Sequence, residues 1–198
     1  MLTASNNLAH SFRKAGRPDL ALPYARRVAE ASERMLAHDP PRLLFRRGNL
    51  ALTLLMTGET GEARRLLAGN WAWPAPDCAN TTPGIAFLSL LAELLDGGNG
   101  ADEIRRLKTL LLGPKLPMAV GVAYPWDVGY LLDYLAPSLP EGHHAFLMAL
   151  LAAINNPELA PALDRFPAWR DTEAVPRGTP WPVTEIIAGD RSDGPDQR

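Results

Sequence analysis

The strongest constraint on this chain is a stretch that occurs twice. Asn7-Leu8-Ala9, Gly16 and Ala21 recur as Asn49-Leu50-Ala51, Gly58 and Ala63, each displaced by 42 residues. A constant displacement of this size marks a supersecondary unit copied along an axis, in which each copy buries its apolar face against the next. The pattern inside each copy predicts an antiparallel pair of helices. In the first copy these cover 3–15 and 20–38, with the turn at Gly16-Arg17-Pro18-Asp19. Gly16 suits the left-handed residue that ends a helix, and Pro18 has the dihedral wanted in the first turn of the next. In that second helix Leu22, Ala25, Val28, Ala29, Ser32, Met35 and Leu36 recur at spacings of three and four, with Arg26, Arg27, Glu30, Glu33 and Arg34 on the remaining surface. Asp39-Pro40-Pro41 stops it, because proline cannot donate to the helical ladder.

The second copy repeats the plan over 42–57 and 62–68, around Gly58-Glu59-Thr60-Gly61. It then gives way to Trp71, Trp73, Pro74 and Pro76, and 69–83 reads as an irregular connection. A third, degenerate hairpin is expected from 84–96 and 101–112 around Gly97-Gly98-Asn99-Gly100. Leu91-Ala92, then Asn99 or Gly100, and Ile104 overlay the first copy only in a shifted register. Three further helices are expected at 126–135, 143–154 and 157–165, as a helical cap on the stack. Pro167, Pro176, Pro180 and Pro182 preclude a long helix beyond Phe166, with Trp169 and Trp181 as anchors onto the preceding helices. The polar, glycine-rich 189–198 reads as a disordered tail. The expected fold is therefore all-α: two repeats in 1–70, a connection and degenerate hairpin in 71–113, a cap with a proline-rich end in 114–188, and the tail.

Leu8-Ala9, Phe12, Gly16, Ala21, Ala25 and Val28 in the first copy, with Leu50-Ala51, Leu54, Gly58, Ala63 and Leu67 in the second, resemble tetratricopeptide repeats over residues 3–70. The 42-residue period is similar to the long variant of kinesin light chains and many bacterial multidomain proteins. The small residues Ala9, Ala21, Ala51 and Ala63 fall where helices cross closely. The resemblance implies a short right-handed solenoid whose first helices line a concave groove for a peptide or protein, with Asn6, Asn7, His10, Arg13, Arg46 and Asn49 as candidate contacts. An asparagine amide donates and accepts, so it can satisfy a peptide bond running along the groove. It can equally bond to a neighbouring helix within the stack. Family members that grip a C-terminal carboxylate use Lys, Asn and Arg, whereas Asn6 and His10 stand at the corresponding places of the first copy. Binding of chaperone tails is thereby disfavoured.

The charges argue against nucleic acid as partner: 20 basic and 22 acidic residues are interspersed, for a net charge of -2. No run reaches the roughly 18 uninterrupted apolar residues of a membrane helix. The single cysteine, Cys78, cannot form an intramolecular disulfide, and residues 1–5 carry no secretory leader pattern, so the simplest compartment is the cytoplasm.

No catalytic constellation stands out, and no cofactor or metal is expected. His143 and His144 are adjacent, so on a helix they point about 100 degrees apart and cannot readily share a metal. His10 and His38 lie in the repeats without a metal-binding motif. Asp127 and Asp133 flank Tyr130, but six residues separate them around a helix, and Asp127 suits a helix start. Gly97-Gly98-Asn99-Gly100 lacks a phosphate-loop pattern and reads as a turn between helices. Cys78 reads as a passive thiol, and Trp71 and Trp73 as packing groups. The leading expectation is a non-catalytic scaffold or adaptor with a groove for a peptide or protein, with self-association through the uncapped first helix as a further possibility. The alternatives are the regulatory or C-terminal portion of a larger multidomain protein, and an enzyme built around Asp127, His143 and His144.

Overall fold

A computed structural model describes residues 2–37, 39–68, 82–112, 128–140 and 142–170. Its described residues form helices and connecting turns, with no strand. The first hairpin is α1 (Leu2–Lys14) and α2 (Pro18–Met35), the second α3 (Pro40–Met56) and α4 (Thr60–Leu67), and the third α5 (Thr82–Leu95) and α6 (Ala101–Leu112). These are followed by α7 (Gly129–Leu135), a 3₁₀ turn (Ala136–Ser138), α8 (His143–Asn155), a 3₁₀ helix (Pro157–Arg165) and the single turn α9 (Pro167–Arg170).

Three hairpins share one turn design. Gly16, Gly58 and Gly97 have φ of 69°, 80° and 79°, a left-handed conformation in which a side chain would be strained. At each, the glycine N–H donates to the carbonyl three residues back, at Arg13, Leu55 and Leu94. The next N–H donates five residues back, to Phe12, Leu54 and Glu93. That reciprocal pair satisfies helix-end carbonyls that would otherwise lack partners. The equivalent of Gly16 is therefore Gly97, not Asn99 or Gly100. Ile104 does stand where Ala21 and Ala63 stand, as the fourth residue of its helix. The shifted register has a simple cause: the third turn is two residues longer before its second helix begins.

The helices stack in chain order from α1 to α6, and α3 also touches α5, as a repeat array requires. Ala9, Ala21, Ala51 and Ala63 are all buried, as close crossings demand. The second helix of each of the first two hairpins reaches forward with an arginine. Arg26 of α2 pairs with Glu59 at 2.8 Å and with Glu62, and Arg64 of α4 pairs with Glu93 at 2.9 Å and with Asp96. In addition, Arg47 of α3 pairs back to Glu33 of α2.

The C-terminal unit packs with larger groups. Phe146 of α8 meets Phe166 edge-on, with ring centroids 5.4 Å apart. Trp169 of α9 is fully buried, with Lys108 Nζ 5.5 Å from its ring centroid, so this tryptophan is an anchor as its position suggested. The helix expected at 157–165 is a 3₁₀ helix. Pro161 within it lacks the N–H of an α-helical bond and crowds the carbonyl four residues back. The helix expected from 126 begins, in the described residues, at Gly129. His38, Trp71, Trp73, Pro74, Pro76, Cys78, Trp126, Asp127, Trp181 and the tail at 189–198 lie outside the described residues.

Candidate functional site

The first helices of the first two hairpins, α1 and α3, bring three of the six candidate residues into direct contact. Asn49 of α3 donates from Nδ2 to Asn6 Oδ1 at 3.3 Å, and its Oδ1 accepts from Arg13 Nη2 at 3.4 Å. Arg13 Nη1 donates to Thr53 Oγ1 at 3.1 Å, and its Nε donates to Tyr130 Oη at 3.2 Å. The result is a polar ladder running Asn6, Asn49, Arg13, Tyr130 across α1, α3 and α7.

Arg13 is the unexpected member. It is only 2% exposed, although a groove contact would have to meet solvent. Burying a guanidinium is costly unless its donors are met, and here three of its nitrogens each reach a neutral oxygen. Arg13 is therefore held inside the chain, where it ties α1 to α3 and α7. The signal was present in the sequence: Ala9, a helix-crossing residue, lies one turn earlier on the same face, so position 13 points the same way.

Tyr130 closes the end of the ladder. The His10 ring meets it edge-on, with centroids 6.0 Å apart at 81°, and Lys14 Nζ lies 6.0 Å from its ring centroid. His10 thus joins the cluster through an aromatic contact. Asn7 stays outside it, exposed on α1, with its backbone carbonyl accepting from Ser11 Oγ. Arg46 is also apart, its guanidinium carbon 5.6 Å from the Phe45 ring centroid. Thr53 and Tyr130 were missed as site residues. Thr53 was legible as the 42-residue counterpart of Ser11. Tyr130 is 117 positions from Arg13, and no periodicity links the two.

Residues 1–68 match the family model of the tetratricopeptide repeat. This stretch is a pair of tetratricopeptide repeats. No curated protein and no solved structure matches the chain. Tetratricopeptide repeats generally mediate contacts between proteins and are typically non-catalytic. No helix among the described residues is long and apolar enough to cross a membrane.

The histidine pair points two ways, as adjacent helical residues must. His143 is buried, with Nδ1 3.2 Å from the Pro140 carbonyl, while His144 Nε2 lies 3.3 Å from Asp133 Oδ1. Among the described residues no three His, Cys, Asp or Glu side chains gather into a metal-binding group. The carboxylates of the stack are set by their partners. Arg26 holds Glu62, and Arg47 holds Glu33, below the usual glutamate range by hydrogen bonding. Burial pushes Glu103 of α6 above it, reinforced by Glu93 and Asp102 nearby.

Proposed function

We propose that this protein is a non-catalytic scaffold that binds a peptide or protein partner along the concave face formed by α1 and α3. The observation that carries the reading is the side-by-side placement of the two first helices of a tetratricopeptide pair, with polar side chains bridging them. Within this reading the six candidate residues divide by what the chain already does with them. Arg13 and Asn49 hold the face in shape, because their side chains are engaged with Asn6, Thr53 and Tyr130. Asn6, bonded to Asn49, shares that role; His10 and Arg46 border the face and, with Asn7 at its outer edge, are the positions at which a partner is expected.

Photo-cross-linking tests this directly. A benzophenone amino acid is placed at His10 or Arg46 on the proposed face, or at Arg27 or Glu30 on the exposed side of α2, in cells of the protein's source. Adducts that map to one partner from the first two positions and not from the second two are the expected outcome. Equal labelling from all four positions overturns the assignment of the face.

A further inference from the structure

The three turn glycines put the first helices of the hairpins in a common register. Four residues before Gly16 is Phe12, stacked on Tyr24 of α2 with ring centroids 5.9 Å apart. Four before Gly97 is Glu93, paired with Arg64 of α4 at 2.9 Å. This position therefore faces the second helices. The residues two before and two after it lie about 200° around the helix, on the side turned away from them. In α1 these are His10, half-buried, and Lys14, exposed. In α3 they are Leu52 and Met56, 1% and 5% exposed, and in α5 they are Leu91, fully buried, and Leu95, partly buried against the core. The groove side of the array is thus polar in the first hairpin and apolar in the next two.

The apolar stretch has an occupant within the chain. α3 has α2, α4 and α5 around it, and α5 has α3, α4 and α6. Onto these same two helices pack α7, against α3, and α8, against α5. Both bring buried apolar side chains, among them Leu131 and Leu132 of α7 and Leu147 and Leu150 of α8. Where α7 reaches the first hairpin, its contact turns polar: Tyr130 Oη accepts from Arg13, and its ring meets His10 and Lys14. The occupant therefore matches the change in the groove from polar to apolar.

We infer that α7 and α8 are the resident ligand of the groove on the second and third hairpins, and that the partner face proposed above, on which this second step rests, is confined to α1 and the N-terminal half of α3. That face is two helices wide. Helices about 10 Å across with axes about 8–10 Å apart span about 20 Å, which an extended segment covers in about six residues. It carries His10, Arg46 and the bonded pair Asn6 and Asn49. Its occupant is a short polar segment of a partner protein. A long peptide laid through the array, or an apolar helix, meets α7 and α8 instead.

One probe at one groove position in each hairpin tests this. A benzophenone amino acid replaces His10, Leu52 or Leu91, each six residues before its turn glycine, in cells of the protein's source. Leu52 and Leu91 should yield adducts within the chain, to peptides of 128–155, and His10 should yield partner adducts. Partner adducts from Leu52 or Leu91, or no internal adduct from either, overturn the inference. Internal adducts from Leu52 and Leu91 with no partner adduct from His10 remove the partner face and leave the resident helices in place. Cysteine, smaller than leucine, repeats the comparison without the bulk of the probe. In a Cys78→Ser chain, His10→Cys should react with a maleimide at least about 100-fold faster than Leu52→Cys or Leu91→Cys, which react only when the helices over them open. Rates within about threefold of one another at all three positions overturn the closed groove.

Discussion

The N-terminal repeats and the C-terminal unit solve the same packing problem in opposite ways. In the repeats, alanines at 9, 21, 51 and 63 let helices cross closely, and arginines on one hairpin reach carboxylates on the next. From α7 onward, bulk replaces proximity: Phe146, Phe166 and Trp169 fill the space between short helices and a 3₁₀ segment. A region built on small residues has no slack for added volume. One built around a large aromatic has no substitute for it.

Truncation should show the largest effect. Trp169→Ala removes a fully buried indole from the junction of α9, the 3₁₀ helix and α6, and such losses cost about 3–5 kcal/mol. Denaturant melts should show it as a lower midpoint. The converse change belongs in the repeats. Ala63→Leu forces extra carbons into a closed crossing, for a loss of about 1–3 kcal/mol, whereas Leu159→Ala on the exposed side of the 3₁₀ helix should stay within about 0.5 kcal/mol. If Ala63→Leu proves neutral, the contrast between the two regions fails.

Acid separates the hairpins by sign, with the smallest amplitude. Glu62 and Glu33 have folded values below their unfolded ones. Their contribution is present above the usual glutamate range and is lost as pH falls through the depressed folded values. Glu103 has a raised folded value, so its ionised form opposes folding near neutrality, and that penalty is relieved as pH falls through the raised value toward the ordinary one. In melts between about pH 7 and about pH 3.5, Glu62→Gln should flatten the acid-side loss. Glu103→Gln should raise stability at neutral pH and remove the gain on mild acidification. The Glu62 pairing is worth at most about 1 kcal/mol, because its partners are partly exposed.

The legibility of the sequence follows the same division. A fixed displacement of 42 residues exposes α1 to α4, because each copy must satisfy the same crossing and the same turn. The third hairpin was visible as two helices. Its register was obscured because the glycine that ends α5, Gly97, is followed by three more turn-forming residues, and only backbone hydrogen bonds identify which one does the work. The apolar pattern of 157–165 alone does not distinguish a 3₁₀ helix from an α-helix, and Pro161, which cannot make the α-helical bond, is the residue that would have told them apart. In the candidate site, Asn49 has a matching residue in the other repeat and was singled out, whereas Thr53, the counterpart of Ser11, and Tyr130, which has no counterpart, were not. Arg13 was placed among the groove contacts by the family resemblance, and only the position of Ala9 on the same face argues for its burial.

The bond from Arg13 to Tyr130 gives the chain a different topology from the array that begins it. A pure repeat stack is a linear sum of neighbour terms, so it can fray from either end or be shortened by whole units with a proportionate loss. Here the first helix is tied to the seventh across 117 positions, and the line becomes a ring of dependence. Excising the C-terminal unit at a hairpin boundary would leave a cationic group stranded in the first repeat without one of its acceptors. The first repeat and α7 therefore answer to each other, and these modules are not interchangeable parts.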